Sequence, residues 1–268
     1  PVFTVAPQSI EVECAPGTDA QYDAWVSSHG GAVATDCHSV QWSHTDITNA
    51  STSFICAGSY IKTIRFTATD ACGNTSFTDA TFIVADHTPP VFVGLPANMV
   101  EEGSLGCNGH KGFKLWRKKI FATKAKDMCG NAHITILYLG LTEGCGSTWT
   151  KTYQLTATDY CGNSAVTTVS YSVVDNTVPV IISCPENEAL TCVEDVPAAA
   201  PEQIVAEDNC DILSKFIISQ ETTGVGCPAW PMVVRYVYGV SDGCGHTTTC
   251  EQVITVVDNQ APVLDCTD

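Results

Sequence analysis

The chain has 268 residues, 29 acidic against 12 basic for a net charge of −17, and 15 cysteines. Acidity of that order repels nucleic acid, and no apolar run approaches the roughly 18–20 residues of a membrane-spanning helix. No C-x2-C pair is present, and the closest spacings (Cys184 to Cys192, Cys244 to Cys250) are not zinc knuckles, so the cysteines predict disulfides and an extracellular chain.

One register of residues recurs three times. "FTATDACGNTSFTDATFIVADHTPPVF" (66–92) returns as "LTATDYCGNSAVTTVSYSVVDNTVPVI" (155–181) and as "YGVSDGCGHTTTCEQVITVVDNQAPVL" (238–264). Pro-Val starts at Pro1, Pro90, Pro179 and Pro262 divide the chain into repeat 1 (1–89), repeat 2 (90–178), repeat 3 (179–261) and the start of a fourth (262–268). This phase predicts a segment of a longer array, with its true N-terminus elsewhere.

In chain order, repeat 1 predicts a short strand at Ile10–Glu13 and then a helix within Gly17–Gly31. Thr18 or Asp19 is its expected N-cap, Tyr22 and Trp25 share a face, and Gly30-Gly31 stops it. A strand signal follows at Val40–Ser43. Ile64-Phe66-Ala68 then alternate with other residues, the period of a half-buried strand. The Gly-containing D-x-C-G turn returns the chain as a hairpin. Repeat 2 repeats this order, with "HKGFKLWRKKIFATKAKD" (110–127) as its helix, Tyr153-Leu155-Ala157 before the turn and Val169-Tyr171-Val173 after it. In repeat 3 the matching text is "EDVPAAAPEQIVAED", whose prolines forbid a regular helix, before the strand carrying Tyr236-Tyr238. Trp25 and Trp116 are expected to pin the helices to the sheets. Several short strands with regular turns per unit predict an all-β chain of tandem immunoglobulin-like sandwiches, disulfide-stapled, with a short helix inserted in repeats 1 and 2.

Seven of the twelve basic residues crowd into one stretch: Lys111, Lys114, Arg117, Lys118, Lys119, Lys124 and Lys126. A solvated basic face accounts for them, and so does a dock for an acidic surface such as another copy of this chain. Neither G-x-S-x-G nor H-E-x-x-H occurs, and the seven histidines are scattered, so no enzyme is expected. Trp42, Trp149 and Trp230 are the rings outside the helices that could stack on sugars, although core packing is the expected role of each. Asn49 and Asn74 fit the N-x-S/T glycosylation pattern, but Asn74 also suits its turn.

"IEVEC…AWVSSHGGAVATDC…FTATDACGNTSFTDATFIV" resembles the HYR-like immunoglobulin-fold repeats of very large secreted bacterial surface proteins, including adhesins and gliding-associated filaments. Repeat 3, with "IISCPEN" and "TTTCEQVITVVDNQAPV", is similar to the general HYR domain. The resemblance implies a cell-surface adhesive or appendage-building role; the competing roles are a passive monomeric spacer stalk and a carbohydrate-binding module. Expected partners are other copies of the chain and surface or environmental glycans.

In an immunoglobulin-like topology the B–C and F–G loops share the end of the domain that carries its N-terminus, the near end. That predicts Cys37–Cys72 at the near end and Cys14–Cys56 at the far end. By position, Cys107–Cys145 and Cys129–Cys161 follow in repeat 2, and Cys192–Cys227 and Cys210–Cys244 in repeat 3. Parallel first and last strands predict Cys184–Cys250, which leaves Cys266 for a partner in the fourth repeat. The linkers "ADHTPPV" and "VDNTVPV" resemble the D-N-x-P linkers of cadherins, which implies calcium held by Asp86, Asp127 and Asp159 at one junction and by Asp175, Asp208 and Asp242 at the next. Turn-capping by the same aspartates is the competing expectation. No other cofactor is required.

Overall fold

The computed structural model describes residues 1–50, 55–210 and 212–261, apart from the side chains of His110, Ile212 and Leu213. Repeat 1 runs β1 (Val2–Val5), β2 (Ile10–Glu13), α1 (Thr18–Ser27), β3 (Val33–Thr35), β4 (Gln41–Asp46), β5 (Tyr60–Thr69) and β6 (Thr75–Ala85). Its main sheet has the order β2-β6-β5-β4, with β2 parallel to β6 and the other pairs antiparallel. The opposing layer consists of the antiparallel β1–β3 pair and α1. Alternation along β5 buries Ile64, Phe66 and Ala68 completely, as their period-2 spacing predicts. Phe82 and Val84 of the neighbouring strand β6 and Trp25 of α1 complete this core.

Trp25 does pin its helix. Its ring lies 5.3 Å from Phe66 at a steep angle, and its indole N–H donates to the Gln8 carbonyl at 2.9 Å. The N-cap differs from expectation. Gly17, at φ +99°, occupies the cap position, while the Thr18 hydroxyl turns back to the Ala15 carbonyl at 2.6 Å. A glycine reaches that backbone region without penalty, so the helix starts where the chain can turn.

Repeat 2 runs β7 (Val91–Val93), β8 (Met99–Glu102), α2 (His110–Ala122), β9 (Lys124–Lys126), β10 (Ala132–Glu143), β11 (Trp149–Asp159) and β12 (Ser164–Val174). The sheet order is β10-β11-β12-β8, and β7 pairs with β9. Trp116 is buried, packs 5.5 Å from Tyr171 and donates to the Ala97 carbonyl at 2.8 Å, repeating the part played by Trp25.

Repeat 3 runs β13 (Val180–Ser183), β14 (Glu188–Leu190), β15 (Val205–Glu207), β16 (Ile212–Thr223), β17 (Met232–Asp242) and β18 (Thr247–Val256), with the sheet order β14-β18-β17-β16 and a β13–β15 pair. Two 3-10 turns, Val193–Asp195 and Pro201–Gln203, stand where the other repeats have a helix. Tyr236, Tyr238, Val240, Ile254 and Val256 form its core with Ile204.

The chain forms two compact units. One comprises Pro1–Pro96, Lys118–Tyr138 and Tyr153–Val169; the other comprises Ala97–Arg117, Leu139–Thr152 and Ser170–Asp268. Repeat 2 therefore contributes its near end to the first unit and its far end to the second. Among the described residues no helix is long and apolar enough to cross a membrane.

Candidate inter-repeat junctions

Each hairpin turn is built by its first aspartate. Asp70 Oδ1 accepts the backbone N–H of Cys72 and of Asn74, both at 2.8 Å. Asp159 does the same for Cys161 (2.8 Å) and Asn163 (2.9 Å), and Asp242 for Cys244 (2.7 Å) and His246 (2.9 Å). In the other near-end loop, Asp127 and Asp208 cap the N–H groups of Cys129 (2.7 Å) and Cys210 (2.8 Å). The aspartates thus hold the near-end cysteines in fixed turns, and the turn-capping expectation is met.

The cysteines pair across repeats, which corrects most of the expected bridges. Cys14 joins Cys129 and Cys56 joins Cys161, with Cα atoms 5.7 and 5.2 Å apart. Cys107 joins Cys210 and Cys145 joins Cys244, at 4.5 and 4.8 Å. Cys14–Cys56, Cys107–Cys145, Cys129–Cys161 and Cys210–Cys244 therefore do not form, and Cys37, Cys72, Cys192 and Cys227 carry free thiols instead of the bridges Cys37–Cys72 and Cys192–Cys227. The topology places each cysteine at an end of its repeat, but end placement is the same whether a thiol meets its own repeat or the next. The far-end pair of one repeat meets the near-end pair of the following one. Cys184–Cys250 forms as expected, with Cα atoms 6.2 Å apart beside the parallel β14–β18 pair. Cys266 lies outside the described residues.

At the first junction Asp86 and Asp159 are buried and Asp127 is half-buried. Asp86 offers an oxygen within 4.8 Å of one from Asp159 and, in a second grouping, of one from Asp127. The Asn163 amide donates to the Asp86 carbonyl at 2.9 Å and to Asp159 Oδ2 at 3.0 Å. Burial raises the Asp86 pKa, opposed by the Thr88 N–H and reinforced by the charges of Asp127, Asp159 and Glu13. The chain passes close here: a Cβ on Gly58, already at φ +81°, would run into the Cys129 carbonyl.

The second junction gathers Asp175, Asp242 and His246 within the same 4.8 Å, with His246 Nδ1 2.7 Å from Asp242 Oδ2. Burial pushes Asp242 up, but the hydrogen bonds from His246 and Cys244 hold its pKa below the usual carboxylate range. Asp208 is raised by burial, opposed by the Cys210 N–H and reinforced by Asp175 and Asp242. Its Oδ2 is buried without a hydrogen-bond partner. His246 was missed as a junction residue; its signal was its place at the Asn74 and Asn163 position of the turn. Cysteines 129, 161 and 244 stand beside these carboxylates, but bonded sulfur offers no thiolate to a metal.

The seven basic residues are all exposed, five on α2 and two on β9. Trp42 stacks on His29 at 4.5 Å and Trp149 packs against Tyr171 at 5.9 Å. Trp230 departs from the expected core packing and is 70 % exposed, because it sits in the short Cys227–Trp230 turn outside the sheet. The Asn74 side chain is engaged by Asp70 Oδ2 at 2.7 Å. The acceptor serine of the Asn49 pattern, Ser51, lies outside the described residues.

No protein-family model matches the chain, and no curated protein matches it. Among solved structures it is similar to a protocadherin gammaB7 EC3-6 cis-dimer, at 12% identity and TM-score 0.28, covering 96% of this chain and 73% of that one. It is also similar to the human desmocollin-1 ectodomain, at 11% identity and TM-score 0.27, with 85% and 57% covered. Drosophila N-cadherin EC1-4 aligns at 10% identity and TM-score 0.24, with 93% and 74% covered.

Proposed function

We propose that this chain is a structural and adhesive repeat segment of a long extracellular surface protein, of the HYR-like kind, whose copies associate into an appendage. The observation that carries the reading is the pairing of four bridges across two successive junctions, which ties each repeat covalently to the next. A chain that needed only stable modules would close its cysteines within each repeat. Bridges across junctions instead keep repeats in series when one of them opens. Such bridges persist in oxidising surroundings, which supports an extracellular, surface-exposed location. The role involves no catalysis.

Self-association draws support from two features. The basic residues of α2 and β9 are exposed on a chain of net charge −17. The edge strands β10 and β16 leave Leu137, Leu139, Leu141, Ile217 and Ile218 in solvent, unlike the edges of most monomeric proteins. Sedimentation of the wild-type chain and of a Lys114→Glu, Lys118→Glu, Lys119→Glu variant at low and moderate salt tests it. Salt-sensitive assembly lost in the variant supports the reading; assembly unchanged by charge reversal removes the basic dock.

Calcium belongs to the same reading. Hard oxygen ligands suit Ca2+, and the burial beside like charges that raises Asp86 at the first junction and Asp208 at the second, where Asp208 Oδ2 is buried without a hydrogen-bond partner, fits a cation at each junction. Asp86, Asp127 and Asp159 would hold one ion, and Asp175, Asp208 and Asp242 the other. Bound calcium would supply positive charge that relieves carboxylate repulsion. Calorimetric titration of the whole chain should give two binding events, one lost in Asp86→Asn and the other in Asp175→Asn. Absence of heat in the wild type would leave these residues as turn caps.

A further inference from the structure

We infer, resting on the reading of the junction carboxylates as cation ligands, that His246 makes the second junction a site for a borderline transition dication such as Zn2+, which displaces calcium there and not at the first junction. The residue that follows each D-x-C-G turn is Asn74, Asn163 and His246 in the three repeats. At the first junction the Asn163 amide nitrogen donates to Asp159 Oδ2 at 3.0 Å and to the Asp86 carbonyl at 2.9 Å. An amide nitrogen has no free lone pair, so that position adds no nitrogen ligand. At the second junction His246 Nδ1 lies 2.7 Å from Asp242 Oδ2. One oxygen each from Asp175 and Asp242 and one ring nitrogen of His246 lie within 4.8 Å of one another.

The site belongs wholly to the second compact unit. Asp175 comes from the linker after β12, Asp208 from the loop before β16, and Asp242 and His246 from the β17–β18 turn. Oδ1 of each carboxylate accepts a backbone N–H: Thr177 to Asp175 at 3.2 Å, Cys210 to Asp208 at 2.8 Å and Cys244 to Asp242 at 2.7 Å. Holding one oxygen orients the other, which is how outer-shell partners aim metal ligands. Asp208 Oδ2 is buried with no hydrogen-bond partner. Burial raises the Asp208 pKa, opposed by the Cys210 N–H; Asp175 and Asp242 add to the rise and His246 counters it, which places all three near Asp208. The Asp242 side chain is fully buried while that of His246 is 31 % exposed, so an ion enters beside the imidazole.

The donor set decides the class of metal. Calcium takes oxygen, whereas a neutral imidazole suits zinc, cobalt and nickel. Three carboxylates and one imidazole make a four-ligand set of mixed oxygen and nitrogen. Zinc holds such atoms at about 2.0–2.2 Å, so neighbouring ligands of a tetrahedral ion stand about 3.3 Å apart. From 4.8 Å, the described cluster closes by no more than about 1.5 Å to reach that spacing.

The whole chain, its unbridged cysteines alkylated so that no thiolate competes, is titrated with Co2+ and followed by visible absorption. Calcium binding is then measured by calorimetry with and without saturating Zn2+. The wild type should bind one Co2+ with a visible band that Zn2+ abolishes, and Zn2+ should remove one of its two calcium events. His246→Asn, which installs the residue of the other two turns, should lose the band and weaken the site by about tenfold or more, the least that losing even a supporting residue of a metal costs. Asp175→Asn should do the same. A Co2+ band unchanged in His246→Asn, no Co2+ band in a wild type that binds calcium, or two calcium events persisting in Zn2+ would overturn the imidazole's role and leave the calcium reading standing. A His246-dependent Co2+ site without any heat of calcium binding would remove the calcium reading alone. Binding of neither ion would overturn both.

Discussion

Six aspartates of one type do different work because their surroundings differ. Asp159 and Asp242 have both oxygens engaged by their own turns, through Asn163 and His246. Asp86 is buried and Asp208 half-buried beside like charges, and their pKa values rise. A carboxyl with a raised folded pKa contributes stability that is full below its ordinary pKa and lost as pH rises through the folded value. At neutral pH the ionised Asp86 therefore works against the first junction. Asp86→Asn keeps an oxygen to accept the Thr88 N–H, donated to Asp86 at 3.2 Å. It should raise the melting temperature at pH 7 in chelator, and the gain should vanish below about pH 4. With calcium the sign should reverse, since the variant lacks a ligand. The capping role was legible in the repeated D-x-C-G text. The coupling of Asp86 to Asp127 and Asp159 depends on chain packing at the junction, which spacing does not contain.

At the scale of elements, the strands flanking each D-x-C-G turn and both helices follow from period and punctuation, since burial of alternate residues and the placing of glycine and proline are local decisions. The edge strands β10 and β16 and the short β3, β9 and β15 were not read from the sequence. Trp25 and Trp116 fill the same position in their repeats, each donating to a carbonyl of the preceding segment. Trp25→Ala should cost about 3–5 kcal/mol, read as a shift in the denaturation midpoint of the unit that holds repeat 1. The conservative Trp25→Phe loses only the Gln8 hydrogen bond and part of the ring and should cost markedly less; equal losses would show that packing volume is not what holds α1. Repeat 3 manages with 3-10 turns because Tyr236 and Tyr238 supply the bulk themselves, with their hydroxyls bonded to the Pro197 carbonyl (3.0 Å) and to Gln252 (2.8 Å). Helix loss there was readable from its prolines. Replacement of helix by tyrosine bulk was not, because it is a matter of complementary volume.

At the scale of the whole chain, the inter-repeat bridges span 115, 105, 103 and 99 residues of sequence. Loops of about 100 residues are those whose closure restricts the unfolded chain most, by about 4–5 kcal/mol for a single bridge in the chain-entropy account. The two bridges of a junction close nearly the same loop, so the second adds less than the first. Replacing Cys14 and Cys129 by serine should therefore cost less than replacing Cys14, Cys129, Cys56 and Cys161 together, and removing one complete pair of bridges should make the linker around Asp86 a preferred site of proteolysis. The sequence pattern told which end of a repeat each cysteine occupies, and it could not tell whose neighbour that end meets.

The most direct test is a non-reducing digest of the intact chain with the linked peptides sequenced. The account predicts Cys14–Cys129, Cys56–Cys161, Cys107–Cys210 and Cys145–Cys244. Recovery of Cys14–Cys56 or Cys107–Cys145 peptides, closing each repeat on itself, would contradict it.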